Sequence, residues 1–223
     1  MVLMVPQYKT FVIANVGQHH NGDLSMAQQC AILAKEAGCD AVGFDMQFMP
    51  AEQERLIGFC RDARIECIPA PVDSDGLNLV MGLGVRRIRI SNANVFNLKF
   101  LKDLNSWCLN EPRLHVMFST FGMSRQEIDD TIKDVSATNF TLLHAQGYDG
   151  FDLLKIKELG FSGSTRISRI GFSDPGNNDR ETCLAVLVGA TVIDKCFTPN
   201  RARHMAEMVK TIREYEGLLG NIE

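Results

Sequence analysis

Two acidic residues and one histidine stand where apolar runs of this sequence end, and they are its first candidates for proton-transfer chemistry. Asp45 closes one apolar run, Asp194 closes another, and His144 follows a pair of leucines. An apolar run that ends abruptly in polar residues is typical of a buried parallel strand whose tip opens into a site. We therefore predict catalytic acid–base roles for these three side chains. Each could instead hold a loop or fill a satisfied core position, so both interpretations stay open.

Polar residues near other strand ends are candidates for binding a substrate. One pair lies in the first turn-forming segment, a second follows the fourth strand pattern, and a third opens the segment 173–178, which leads into a helical pattern. Backbone N–H groups at a loop followed by a helix start attract anions, which makes segment 173–178 a candidate anion cradle. The predicted substrate-binding residues of these three segments are His20, Asn21, Asn92, Asn94, Ser173 and Asp174.

Strand and helix patterns alternate along the whole chain, with short connections between them. Eight such pairs predict an α/β fold, a (β/α)8 TIM barrel, as a single domain over residues 1–223. A doubly wound open sheet would normally carry GxGxxG after its first strand, where this chain has His-His-Asn-Gly at positions 19–22. The predicted strands span 11–17, 41–47, 66–72, 87–91, 114–120, 140–144, 168–172 and 191–197. The predicted helices span 24–37, 52–63, 75–83, 98–108, 124–135, 151–159, 180–188 and 203–219.

Alternation along each strand decides which side chains face the barrel interior. We choose the phase that places Asp194 and Cys196 inward, which leaves Lys195 pointing toward the helices. The same reasoning places His144 inward on the sixth strand. The segment Arg86–Arg89 also alternates, which indicates solvated arginines or a site arginine rather than a nucleic-acid patch.

Composition places the chain among ordinary globular proteins and excludes several partners. It is 45% hydrophobic and 22% charged, with a formal charge of −4 that offers no basic field for nucleic acid. Seven cysteines without CxxC pairs favour reduced thiols and a cytoplasmic location. The first residues do not form a secretion signal, and no apolar stretch is long enough to span a membrane.

Five segments resemble the barrel domain of the sialic acid synthase (N-acetylneuraminate synthase) family. Residues 13–23 are similar to IAEIGxNHNGD, residues 34–45 to AKEAGADAVKFQ, and residues 142–144 to LLH. Residues 171–174 are similar to GYSDH, and residues 189–198 to GAxVIEKHFT. The resemblance implies a barrel that condenses phosphoenolpyruvate with an N-acylated amino sugar, using a divalent metal such as Mn²⁺ or Mg²⁺. The residues retained at matching positions are His20, Asn21, Ser119, His144, Tyr148, Ser173 and Asp174, with Asp194 in place of a glutamate.

The residues that carry the family's metal and phosphate chemistry are replaced. The two metal-ligating histidines fall on Pro175 and Cys196, so we predict no metal ligand at these positions. The acidic residue that the family has on its first strand is replaced by Asn15. The lysine on its second strand, which helps to hold phosphoenolpyruvate, is replaced by Gly43. Asp45 stands in place of a neighbouring glutamine. We therefore expect the open end of the barrel to bind the phosphoenolpyruvate trianion less tightly.

Three functional hypotheses follow. The first is a divergent synthase that binds a sugar or sugar-acid ligand, with its metal-dependent condensation altered or lost. The second is a non-catalytic sugar-phosphate-binding or regulatory barrel, and the third is a metal-independent enzyme of the aldolase or isomerase type. The family's C-terminal antifreeze-like domain is not expected, so a possible homodimer would need a barrel-to-barrel surface.

Overall fold

A computed structural model describes residues 9–135, 139–145, 167–176 and 179–219 of the chain. Within these ranges, parallel strands alternate with helices. The strands are β1 (Phe11–Gly17), β2 (Ala41–Asp45), β3 (Glu66–Ala70), β4 (Arg87–Ile90), β5 (His115–Ser119), β6 (Asn139–Ala145), β7 (Ile167–Asp174) and β8 (Val192–Cys196). The helices are α1 (Leu24–Glu36), α2 (Pro50–Asp62), α3 (Ser74–Gly82), α4 (Asn92–Val95), α5 (Leu98–Asn110), α6 (Arg125–Asp134), α7 (Asp179–Leu187) and α8 (Ala202–Leu219).

The strands form one parallel sheet in the order β3-β2-β1-β8-β7-β6-β5-β4. The two ends of this order, β3 and β4, lie side by side, so the sheet curls into a nearly closed barrel with the helices outside. The predicted (β/α)8 TIM barrel is confirmed. The carboxyl ends of the strands, marked by Asp45 and Cys196, form the end that we call the mouth. The amino ends, marked by Glu66 and Arg87, form the floor.

Helix ends follow the signals that the sequence carries. The Asp23 side chain accepts the backbone N–H groups of Ser25 and Met26 and so caps α1, as predicted. Ser124 and Glu127 form the predicted capping box at the start of α6. The predicted helix over 151–159 lies outside the described residues. No helix within the described ranges is both long and apolar enough to cross a membrane.

Side chains of the strands alternate between two hydrophobic layers. The outer layer packs against the helices and holds most large apolar residues, including Phe44, Phe118 and Phe172. On β8, Asp194 faces the interior and Lys195 faces outward to α7, which is the predicted phase. A smaller inner layer fills the barrel and contains Ile13, Ala41, Ile68, Met117, Leu143 and Val192.

β3 and β4 lie at the two ends of the hydrogen-bonded strand order. Side-chain contacts close the seam between them. Inside the barrel, Arg87 of β4 forms an ion pair with Glu66 of β3. Beyond the strand ends, the Asn94 amide donates to the carbonyl oxygens of Pro71 and Val72, each at 3.1 Å. These contacts tie the two edge strands together at both ends.

Two inward glycines allow a matched test of packing inside the barrel. A Cβ added at Gly171 would lie 2.6 Å from Cδ2 of Leu143 and 2.8 Å from the Val192 carbonyl oxygen. A Cβ added at Gly43 would meet nothing closer than 3.5 Å. We expect Gly171→Ala to lower the free energy of unfolding by about 1–3 kcal/mol through overpacking. Gly43→Ala should leave it unchanged or raise it slightly, and equal effects in denaturant unfolding would contradict the described packing.

Candidate functional site

An arginine lies between two carboxylates at the centre of the mouth. Arg89 projects inward from β4, and its Nη2 lies 2.6 Å from Oδ1 of Asp45 on β2. Its Nη1 lies 3.4 Å from Oδ2 of Asp194 on β8. The three charged groups come from three different strands, so the barrel itself positions them. Together with Asn15 and Ser173 they form what we call the mouth cluster.

Asp194 is the most enclosed member of the mouth cluster, with 1% of its surface exposed. Its Oδ2 accepts hydrogen bonds from Nδ2 of Asn15 at 3.0 Å and from Oγ of Ser173 at 2.9 Å. Burial raises the pKa of Asp194, against the opposing influence of Arg89, Ser173 and Asn15. The carboxyl group can therefore hold a proton at a higher pH than an exposed aspartate would.

Three buried polar atoms of the mouth cluster have no hydrogen-bond partner in the described part of the chain. They are Oδ1 of Asp194, Oδ1 of Asn15 and Nε of Arg89. Buried polar atoms are normally paired, so an unpaired group in a site is a position for a ligand or an ordered water. The cluster thus offers acceptors from Asn15 and Asp194 and a donor from Arg89.

A cavity of about 350 Å³ opens beside the mouth cluster. This volume lies within the range of small-molecule sites. Its walls combine the charged groups of Asp45, Arg89 and Asp194 with the hydroxyl groups of Ser119 and Ser173. The structure thus brings together four of the predicted site residues, Asp45, Asp194, Ser119 and Ser173, around one cavity large enough for a monosaccharide-sized ligand.

The structure does not bring His144 to this cavity. Leu143 and Ala145, its neighbours on β6, line the cavity, so the alternation of the strand turns His144 to the opposite face. There its ring lies 6.3 Å from that of Phe172 in the outer layer, and 6% of the residue is exposed. The expected inward phase was wrong because the apolar pair before it carries no alternation signal.

His20 holds the loop after β1 in place. His20 is 1% exposed, its Nε2 lies 3.1 Å from the Asp45 carbonyl oxygen, and its Nδ1 accepts the Gly22 N–H at 3.0 Å. Its ring stacks on Phe48 with 4.2 Å between centroids. Asn21 is exposed and adopts a left-handed backbone conformation with φ of 50°. Both residues shape the rim of the mouth, and their substrate-binding role stays a prediction.

Asp174 faces away from the cavity. Its Oδ2 lies 2.6 Å from Nζ of Lys195 and accepts the Thr182 hydroxyl at 2.5 Å. Its Oδ1 accepts the Gly176 N–H at 2.7 Å, which removes one donor from the predicted anion cradle. Asp174 and Lys195 are both 1% exposed, so the pair joins β7 and β8 behind the mouth.

Of the other predicted ligand-binding residues, only Asn94 has a described side chain, and it does not line the cavity. Asn94 is buried, and its amide donates the hydrogen bonds that close the seam between β3 and β4. Asn92 begins α4, and its side chain is not among those described. Tyr148 lies outside the described residues altogether.

The residues present do not fit the divalent metal that the family resemblance implies. Within the described ranges, no three His, Cys, Asp or Glu side chains are grouped as metal ligands. The side chain of Pro175 has no ligating atom, and Sγ of Cys196 lies 3.4 Å from Nε2 of His19, a pair that falls short of the three ligands a metal site needs. The two carboxylates of the mouth cluster are bound to Arg89, whose positive charge opposes a cation between them.

Arg89 is the important site residue that sequence reasoning does not single out. Its signal is the alternation of Arg86–Arg89, which indicates either solvated arginines or a site arginine. The sequence does not reveal that Asp45 and Asp194, distant along the chain, converge on it. Their convergence across the barrel favours the site arginine.

Comparison with known proteins gives one family and one fold. The model of the NeuB family matches residues 42–223. The N,N'-diacetyllegionaminic acid synthase of Legionella pneumophila is 25% identical, with 96% of this chain and 74% of that protein covered. The spore coat polysaccharide biosynthesis protein SpsE of Bacillus subtilis is also 25% identical, over 94% of this chain and 68% of that protein.

Among solved structures, an N-acetylneuraminic acid synthetase from Leptospira borgpetersenii, in complex with citrate, superposes with a TM-score of 0.83. The alignment covers 96% of this chain and 86% of that one at 22% sequence identity. At this identity the likeness establishes the fold alone, and it agrees with the described barrel.

Proposed function

Since this chain belongs to the NeuB family, we propose that its mouth binds a sugar or sugar-acid ligand without condensing it with phosphoenolpyruvate. The family suggests the ligand class, because relatives are named for acetylated sugar acids and for polysaccharide biosynthesis. The loss of condensation rests on the residues of this chain. The protein is thus a divergent member of a carbohydrate-biosynthesis family.

One observation carries this proposal: Arg89 is already neutralised by Asp45 and Asp194. With both carboxylates ionised the trio carries one net negative charge, and with Asp194 protonated it carries none. A phosphoenolpyruvate trianion would have to compete with two fixed carboxylates for a single guanidinium. Bringing like charges together in a partly desolvated site costs several kcal/mol. The mouth therefore disfavours phosphoenolpyruvate.

A neutral or singly charged sugar suits the same groups. Sugar hydroxyls both donate and accept, which matches the unpaired Oδ1 of Asp194 and the unpaired Nε of Arg89, two residues that line the cavity. The Ser173 hydroxyl, which lies beside Asp194, and the Ser119 hydroxyl also line the cavity. A ligand with a single carboxylate adds one negative charge to the trio, whereas phosphoenolpyruvate adds up to three, so a sugar acid is repelled less.

Proton transfer on a bound sugar is a second candidate function, favoured by the buried carboxyl of Asp194. Its pKa is raised by burial and its Oδ1 has no partner among the described residues. A protonated Asp194 could donate its proton to a carbonyl oxygen while Asp45, which lines the same cavity, removes the proton from the adjacent carbon. The resulting enediol is the intermediate of an isomerase that uses no metal.

Calorimetric titration tests the binding proposal. N-acetylmannosamine and N-acetylneuraminate should bind more tightly than phosphoenolpyruvate at equal ionic strength. Ser173→Ala should weaken sugar binding by about 5–10-fold, which corresponds to about one lost hydrogen bond. Ser106→Ala, on the exposed face of α5, is the matched control and should bind like the wild type. Tighter binding of phosphoenolpyruvate, or equal effects of the two variants, would refute the proposal.

A further inference from the structure

A second cavity, of about 330 Å³, lies at the floor of the barrel, the end opposite the mouth. It is formed by the end of α2, the start of β3 and the segment that enters β4. We call it the floor cleft. Its principal lining residues are Ile57, Arg61, Arg64, Ile65, Val85 and Arg86.

Three guanidinium groups line the floor cleft in a protein whose formal charge is −4. Arg61 donates to the Leu83 carbonyl oxygen at 3.1 Å, which anchors it. The side chains of Arg64 and Arg86 make no ion pair or hydrogen bond with any described residue. The carboxylate that lines the cleft, Glu66, is already paired with Arg87. The cleft therefore presents uncompensated positive charge.

The backbone at Arg64 gives an independent reason to look for a role of its side chain. Arg64 follows the end of α2 with φ of 59°, in the left-handed region. Gly38, Gly84 and Gly189 follow the ends of α1, α3 and α7 with φ of 83°, 75° and 108°. A side chain in this conformation costs roughly 1 kcal/mol that glycine avoids. The chain thus keeps a strained arginine after α2, at the position where α1, α3 and α7 use glycine.

The neighbouring barrel interior also carries a positive potential. His115 lies at the floor on β5, and its Nε2 is 2.7 Å from Oγ1 of Thr141. Burial lowers the pKa of His115 to about 4, and the charges of Arg87 and Arg169 lower it in the same direction. Arg87 is balanced by Glu66, so an anion at the floor would meet the interior charge of Arg169 in addition to that of the three arginines at the cleft.

We propose that the floor cleft binds a phosphate-bearing small molecule. A guanidinium group can donate two parallel hydrogen bonds to the oxygens of one phosphate. The three arginines can therefore bind one or two phosphate groups. Ile57, Ile65 and Val85 provide an apolar wall against which the uncharged part of the ligand packs. The floor cleft and the sugar site lie at opposite ends of β3 and β4, so both sites can be occupied at the same time.

The test is calorimetric titration of the full chain with inorganic pyrophosphate at low and moderate salt. We expect saturable binding with one site, weakened at least tenfold in Arg64→Gly and in Arg86→Gln. Arg203→Gln removes the same charge from an exposed position on α8 and should bind like the wild type. Arg64→Gly should also melt no lower than the wild type, because glycine relieves the left-handed backbone.

Each result decides for or against the floor cleft. Loss in Arg64→Gly and Arg86→Gln with retention in Arg203→Gln supports a built site, since the fold of Arg64→Gly is unharmed. Equal weakening in all three variants would show a diffuse charge effect and overturn the proposal. Failure of the wild type to bind pyrophosphate at millimolar concentration would overturn it as well. Sugar binding at the mouth is measured separately and does not depend on either result.

Discussion

Asp174→Ala should lower the free energy of unfolding by about 3–5 kcal/mol, enough to threaten the folded state of an ordinary domain. The reason is that Lys195 would remain buried without its main partner. The Asp174 carboxylate lies 2.6 Å from Nζ of Lys195, and the other carboxylate within reach, that of Asp179, lies 3.4 Å away. Denaturant unfolding followed by circular dichroism measures this directly.

The control is an exposed ion pair of the same chemistry. Glu207 lies 3.1 Å from Arg203 on α8, and both side chains are largely exposed. Glu207→Ala should leave the unfolding free energy unchanged within error, because water screens such pairs. If Asp174→Ala were equally harmless, Asp174 would be released from its structural role and its predicted contact with substrate would regain weight.

Arg89→Met should destabilise the protein strongly at pH 8 and weakly near pH 4. Without the guanidinium, Asp45 and Asp194 face each other as carboxylates, and Asp194 is almost fully buried. The loss at pH 8 should be on the order of 3 kcal/mol. Thermal melts across this pH range, compared with those of the wild type, measure the difference.

The sign of this pH dependence follows from the raised pKa of Asp194. A carboxyl whose pKa is higher in the folded state than in the unfolded state lowers stability as pH rises through the folded value. Arg89 lowers that pKa, so its removal raises it further and extends the loss of stability over a wider pH range above about pH 4, the usual value for an unfolded aspartate. The double variant Arg89→Met/Asp194→Asn should recover much of the loss, and no recovery would contradict the described pairing.

The barrel could be predicted from sequence because its signals are local. Parallel strands buried on both faces read as short apolar runs, and the helices between them carry caps such as Asp23 and the Ser124–Glu127 box. The ends shifted by a few residues, as for β2, which ends at Asp45 rather than at position 47. The short helix α4 was missed because four residues carry too little periodicity to recognise.

The candidate site could be predicted only in part, because its interactions are long-range. Asp45 and Asp194 were found as polar ends of apolar runs, and both reach the cavity. The phase of β6 could not be read from two consecutive leucines, so His144 was expected on the wrong face. Asp174 lies at the mouth end of β7, as predicted. Because the preceding Ser173 faces the cavity, the Asp174 side chain points to the outer face, where it pairs with Lys195.

Nuclear magnetic resonance of one reaction mixture tests the central claim most directly. The wild-type chain is incubated with N-acetylmannosamine, phosphoenolpyruvate and Mn²⁺, and phosphorus and proton spectra are recorded over hours. We predict line broadening of the sugar signals on binding, with no phosphate released above the level of the protein-free control. Phosphate release together with new sugar-acid signals would contradict the account, because it would show that Asp45, Arg89 and Asp194 support the condensation after all.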